Sequence, residues 1–164
     1  MSKHEEREQR LVHRIEAFSD LVMGFSLALL SLSLVIPAHA IELLLNPIWL
    51  VSYLWTFAWI ASTWFGHQRL FSLYFVPTMP AIVINFVLLA SLALGVYFVQ
   101  VFLHAGSDPD RVIAMLLYFS ALSVTLLSLG TLYALGTKSR WNVLDGDERF
   151  FGTKRAIRLL IMGT

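Results

Sequence analysis

Arg14-Ile15-Glu16-Ala17-Phe18-Ser19-Asp20 leads straight into an apolar run that ends at Ile36. The run is long enough to cross a bilayer, which takes about 20 mostly apolar residues. Asp20 therefore sits about one helical turn inside a membrane span. Ionisable groups at that depth are costly and by default mark a functional site. The rest of the chain has the same character. Of its 164 residues 57% are hydrophobic, and the mean hydropathy is +0.70. Soluble domains sit nearer about 45–50% apolar. The excess falls in four blocks, near 17–36, 48–70, 80–103 and 112–135. The fold class is all-α: a polytopic membrane helix bundle with four full spans.

Punctuation supports these spans. The first ends at Pro37, and Asn46-Pro47 precedes the second. Pro77 and Pro80 separate the second from the third. Gly106, Asp108 and Pro109 separate the third from the fourth, and Gly136 closes the fourth. Such residues break helices or start turns. A cytoplasmic segment (1–13), a transmembrane bundle (14–136) and a cytoplasmic tail (137–164) follow. Residues 138–155 read as a polar loop with an Asp145-Gly146-Asp147 turn. The apolar run from Ala156 to Met162 is either a short interfacial helix or the start of a fifth span. Basic residues ahead of it favour the fifth span.

Lys and Arg set the orientation. Lys3, Arg7, Arg10 and Arg14 precede the first span, and six more basic residues follow the fourth, from Lys138 to Arg158. The first loop has none. The positive-inside rule places both ends in the cytoplasm, with Arg111 a mild violation. In a prokaryote the membrane would be the inner one. No cleavable signal is evident, because charges fill the N-terminus.

Several classes are excluded. A net charge of +1 gives no footprint for nucleic acid, and the lack of cysteine removes disulfides and thiolate metal sites. No metalloprotease, triad or phosphate-loop pattern appears. His39 and His104 make a poor metal pair. Neither an enzyme nor a cofactor is expected.

Asp20 needs partners. Arg14 lies about 120° around the helix and about 9 Å along it, which suits no intrahelical pair. The second span ends near His67, and Asn85 lies one turn into the third. Asp20, His67 and Asn85 are therefore expected in one layer, where carboxylate, imidazole and amide can satisfy one another. Such a layer is either structural glue between helices or part of a conducting machine. Ser19, Ser26 and Ser33 recur every seven residues, beside an apolar row of Met23, Leu27, Leu30 and Leu34. This pattern fits close packing through small residues. It equally fits a pore-lining helix with an apolar constriction. Trp49 and Trp64 suit the two interfaces.

Arg14-x-x-x-Phe18-Ser19-Asp20 resembles the motif that opens the first helix of the transmembrane protein 175 family, the lysosomal and prokaryotic potassium channels. Trp64-Phe65-Gly66-His67-Gln68-Arg69 is similar to a second family segment. The resemblance covers roughly residues 10–160. It implies a homotetramer of six-span subunits, with the first helix around a central pore. Apolar side chains would form the constriction, with Phe25, Leu27, Leu30 and Leu34 as candidates. Arg14, Phe18, Ser19, Asp20, Trp64 and His67 would form a supporting network, to which the layer argument adds Asn85. Potassium would be the permeant ion, and membrane lipid and sister subunits the partners. Leu21, Phe25 and Ala28 depart from the residues usual in the family, and a ring of Phe25 would narrow the path. Two of the six spans are lacking, in keeping with an incomplete subunit. The alternatives are a non-conducting membrane protein with a structural polar layer, and a proton-coupled transporter using Asp20 and His67 as a relay.

Overall fold

The computed structural model describes residues 3–32, 39, 41, 45 and 47–164, with side chains from residue 6 onward. Among the described residues five helices stand in order: α1 (Lys3–Leu32), α2 (Ile48–Leu73), α3 (Met79–His104), α4 (Asp108–Ser139) and α5 (Gly146–Gly163). The first four are long and apolar enough to cross a membrane.

The helix starts follow from local chemistry. Thr78 caps α3 by accepting from the Ala81 amide, with Pro80 in the first turn. Ser107 caps α4 by accepting from the Asp110 amide, and Asp108 and Asp110 complement the positive helix end. α1 starts well before the expected span, at Lys3. Its first turns are polar and carry an Arg10–Glu6 pair four residues apart.

The tail departs from the expected loop. α4 runs on to Ser139, which leaves only 140–145 outside helices. α5 opens at Gly146 on a capping box. The Asp145 side chain accepts from the Glu148 amide at 2.7 Å, and Glu148 accepts from the Asp145 amide at 3.2 Å. What reads as a turn is thus a helix start. α5 then folds back along α4, burying Gly152, Ala156, Leu159 and Gly163. Gly152 permits this approach, and Gly136 lets α4 pass close to Tyr74 at the end of α2. A Cβ on Gly136 would collide with the Tyr74 carbonyl oxygen, and one on Gly152 with Thr137 Oγ1.

α3 pairs most extensively with α4, and α4 with α5, whereas α1 rests on α2 and α3. One face of α1 faces its neighbours: Ile15, Ser19, Met23, Ser26 and Leu30 are buried. The opposite face carries the side chains of Leu21, Phe25, Leu29 and Leu32 outward, all exposed among the described residues.

Candidate functional site

The polar layer sits where the C-terminal end of α2 meets the N-terminal end of α3 and the first membrane turns of α1. It consists of two neighbouring hydrogen-bonded sets. In the first, Asn85 Oδ1 meets His67 Nε2 at 2.9 Å, and Asn85 Nδ2 donates to Ser19 Oγ at 3.1 Å. All three residues are fully buried. Ser19 Oγ donates to the Ile15 carbonyl at 2.8 Å. That last bond orients every proton in the chain. Ser19 has spent its one hydrogen on the carbonyl, so it can only accept from Asn85. The amide nitrogen of Asn85 therefore faces Ser19, and its oxygen faces His67. Nε2 of His67 must then carry the proton. Nδ1 is buried with no partner, which a bare lone pair tolerates better than an N–H would. The imidazole stacks on Phe71 at 4.4 Å, and Phe71 stacks on Phe75 at 4.0 Å.

The second set serves Asp20. Trp64 Nε1 donates to Asp20 Oδ1 at 2.9 Å, and Gln68 Nε2 donates to the same oxygen at 2.7 Å. Trp64 and Gln68 are four residues apart and so share one face of α2. Hydrogen bonds from neutral donors to a carboxylate are stronger than neutral pairs. Together the two sets clamp α1 to α2 and α3 at adjacent residues, Ser19 and Asp20.

The expected layer is present, but its wiring differs. Asp20 bonds to Trp64 and Gln68 and not to His67 or Asn85, because those two lie on the next face of α2 and α3. No hydrogen bond links Asp20 to His67 among the described residues, so the proposed proton relay has no direct link. Trp64 is only partly an interfacial anchor, since its indole N–H is committed to Asp20. Arg14 is exposed, with no hydrogen bond or ion pair among the described residues. Phe18 is half exposed and meets Phe86 edge-on at 5.8 Å.

The constriction candidates divide. Phe25 is 62% exposed, but Leu30 is 1% exposed and points into the subunit. Leu27 is partly buried against the core. Leu34 lies outside the described residues, as does Ser33. The serine stripe is packing: Ser26 is buried like Ser19, and its hydroxyl donates to the Val22 carbonyl at 2.9 Å. Leu29 and Leu32, which the sequence reading does not single out, are 57% and 82% exposed. With Phe25 they form an i, i+4, i+7 stripe on the outward face.

Comparison with known proteins gives a consistent picture. A family model described as endosomal/lysosomal potassium channel TMEM175 matches residues 14–95, which include both polar sets. No curated protein matches the chain. Among solved structures, one similar chain is a variant of the potassium channel MtTMEM175 in complex with a nanobody–MBP fusion. It is 26% identical over 92% of this chain and 74% of its own, with a TM-score of 0.69. Another is a lysosomal potassium-selective channel TMEM175 homologue from Chamaesiphon minutus. It is 23% identical over 93% of this chain and 87% of its own, with a TM-score of 0.66, and supports the fold.

Proposed function

This chain is an integral membrane protein of the TMEM175 potassium channel family, and from that premise we propose that it forms a potassium-conducting homotetramer with α1 lining the pore. One observation carries the reading: α1 is clamped on one face by Ser19 and Asp20 and bare on the other, where Phe25, Leu29 and Leu32 stand out.

An unpartnered apolar face in a membrane protein can meet lipid or sister helices. Here it belongs to a helix whose rotation is fixed by polar bonds at Ser19 and Asp20. Four copies around an axis would bring four Phe25 rings together, with Leu29 and Leu32 one and two turns further along. Such rings narrow a path and can close it by dewetting. Asp20 lies at the edge of the outward face, so four carboxylates would ring one mouth and favour cations there. Positive-inside orientation makes that mouth cytoplasmic. Arg14, about one and a half turns earlier and unpaired among the described residues, is placed to meet a neighbouring subunit. Ser19, Asn85, His67, Trp64 and Gln68 set the tilt of α1 and thereby the width at Phe25.

The test is potassium flux from liposomes reconstituted with the purified protein, alongside its detergent-solubilised mass. Tetrameric mass with potassium flux that Asp20→Ala impairs is expected. A well-folded protein that stays monomeric and passes no potassium would overturn the proposal in favour of a non-conducting role.

A further inference from the structure

α2 has a second polar face, turned away from Asp20. There a cavity of about 490 Å³ opens between α2, α4 and α5. Its wall carries Trp59 and Thr63 from α2 and Arg155 and Arg158 from α5, and it contains no carboxylate. Leu122 and Leu126 of α4 form an apolar side.

Four other basic side chains near this end of the bundle are engaged. Arg69 lies over the Phe151 ring at 3.7 Å, Arg140 donates to the Leu73 carbonyl, Arg149 donates to the Leu144 carbonyl, and Lys154 lies over the Phe150 ring. Arg155 and Arg158 have no hydrogen bond or ion pair among the described residues. Arg155 Nε is buried and unpartnered, and so is Trp59 Nε1, on the facing wall of the same cavity. Gly66 leaves room for the guanidinium, since a Cβ there would stand 3.2 Å from Arg155 Nη2. Gly66 lies between Trp64 and His67, so Arg155 reaches the depth of the polar layer. Arg158 is exposed and Arg155 half-buried, and no counter-charge lines the cavity. The buried N–H groups of Arg155 and Trp59, each without an acceptor, carry a desolvation cost. Both would be answered by one anion with several acceptor oxygens.

We propose that this cavity is a binding site for the phosphate headgroup of an anionic membrane lipid. Arg155, Arg158 and the Trp59 indole N–H hold the phosphate oxygens. One acyl chain lies along Leu122 and Leu126. Basic pockets between membrane helices recognise such headgroups, and the apolar wall beside the charges selects a lipid over a free anion. The bound lipid would bridge α5 to α2 behind the polar layer. The site does not depend on conduction, so it can fail or hold independently of the channel reading.

Native mass spectrometry of the full chain tests this with two probes, phosphatidylglycerol and phosphatidylcholine. Wild type should retain phosphatidylglycerol preferentially. Arg155→Gln/Arg158→Gln should lose that preference by about 25-fold, a factor of about five per arginine. Unchanged preference in a folded double variant would overturn the proposal. If that variant fails to fold, Trp59→Phe decides, because it keeps both charges and removes only the N–H. Weakened retention supports the site, and unchanged retention refutes it. A thermal-shift titration with inorganic phosphate distinguishes the source. Stabilisation of wild type by phosphate, with no preference between the two lipids, would mean a free-anion site and overturn the lipid assignment. Loss of oligomeric mass in the double variant without any change in lipid retention would mean that a second copy occupies the cavity, and would also overturn it.

Discussion

Asn85→Ala probes the clamp at its most connected residue. The substitution removes two interhelical hydrogen bonds, to His67 at 2.9 Å and to Ser19 at 3.1 Å. Inside a membrane such bonds average about 0.6 kcal/mol and reach about 1.7, so the pair contributes about 1–3 kcal/mol. The larger effect falls on His67. Its Nδ1 already has no partner, so losing Asn85 leaves both ring nitrogens unsatisfied in a fully buried side chain. A stranded buried donor costs about 1–3 kcal/mol. The sum is about 2–5 kcal/mol. Reversible unfolding in mixed SDS micelles measures it. The order of magnitude predicts a second result: His67→Ala added to Asn85→Ala should cost much less than its effect in the wild-type background, because the stranded group is gone. Ser19→Ala alone should cost less than Asn85→Ala, since the Asn85 amide keeps its bond to His67. A loss under about 0.5 kcal/mol for Asn85→Ala, or strict additivity with His67→Ala, would refute the assigned proton order and the view that this set holds α1.

Other predictions follow from the same geometry. Asp20→Asn keeps the shape but exchanges charge-assisted bonds for neutral ones. It should lower potassium flux while leaving expression intact, measured in reconstituted liposomes. Phe25→Ala should raise single-channel conductance by enlarging the narrowest ring, as bilayer recording would report. Leu30→Ala should leave conductance near wild type yet cost about 2–5 kcal/mol of stability, since it empties core volume. Gly136→Ala drives a methyl into the Tyr74 carbonyl. It should cost about 1–3 kcal/mol through overpacking, visible as a lowered melting temperature and a broadened gel-filtration peak.

The spans were legible because membrane crossing demands a run of fixed length, and Pro80 and Pro109 stand in the first turns of α3 and α4. The motif residues were legible because a carboxylate at Asp20 and an imidazole at His67 stand out against apolar surroundings. What sequence reasoning missed is rotational. α1 is apolar nearly all round through residues 21–32, so nothing in its pattern distinguishes Leu30, which is buried, from Leu29, which is exposed. Ser19 and Ser26 lie on the packed face because their hydroxyls can turn back to backbone carbonyls and leave a small, satisfied surface. Asp20 was matched by depth to His67 when the angle around α2 selects Trp64 and Gln68. The signal existed: two donors four residues apart on one face. The start of α5 was also readable, since Asp145-x-x-Glu148 is a capping-box pattern hidden behind an apparent Asp-Gly turn. Arg155 carried no sequence signal, because only the return of α5 along α4 brings it against Gly66.

The central claim is that the outward face of α1 lines the ion path. These 164 residues include no cysteine, so single-cysteine variants of them need no prior removal of thiols. The decisive measurement is potassium flux before and after a charged methanethiosulfonate reagent is applied to Phe25→Cys, Leu29→Cys and Leu30→Cys. The account predicts that the reagent alters flux at positions 25 and 29 and leaves position 30 untouched. Modification at position 30 with no effect at 25 or 29 would place a different face of α1 on the path and contradict it.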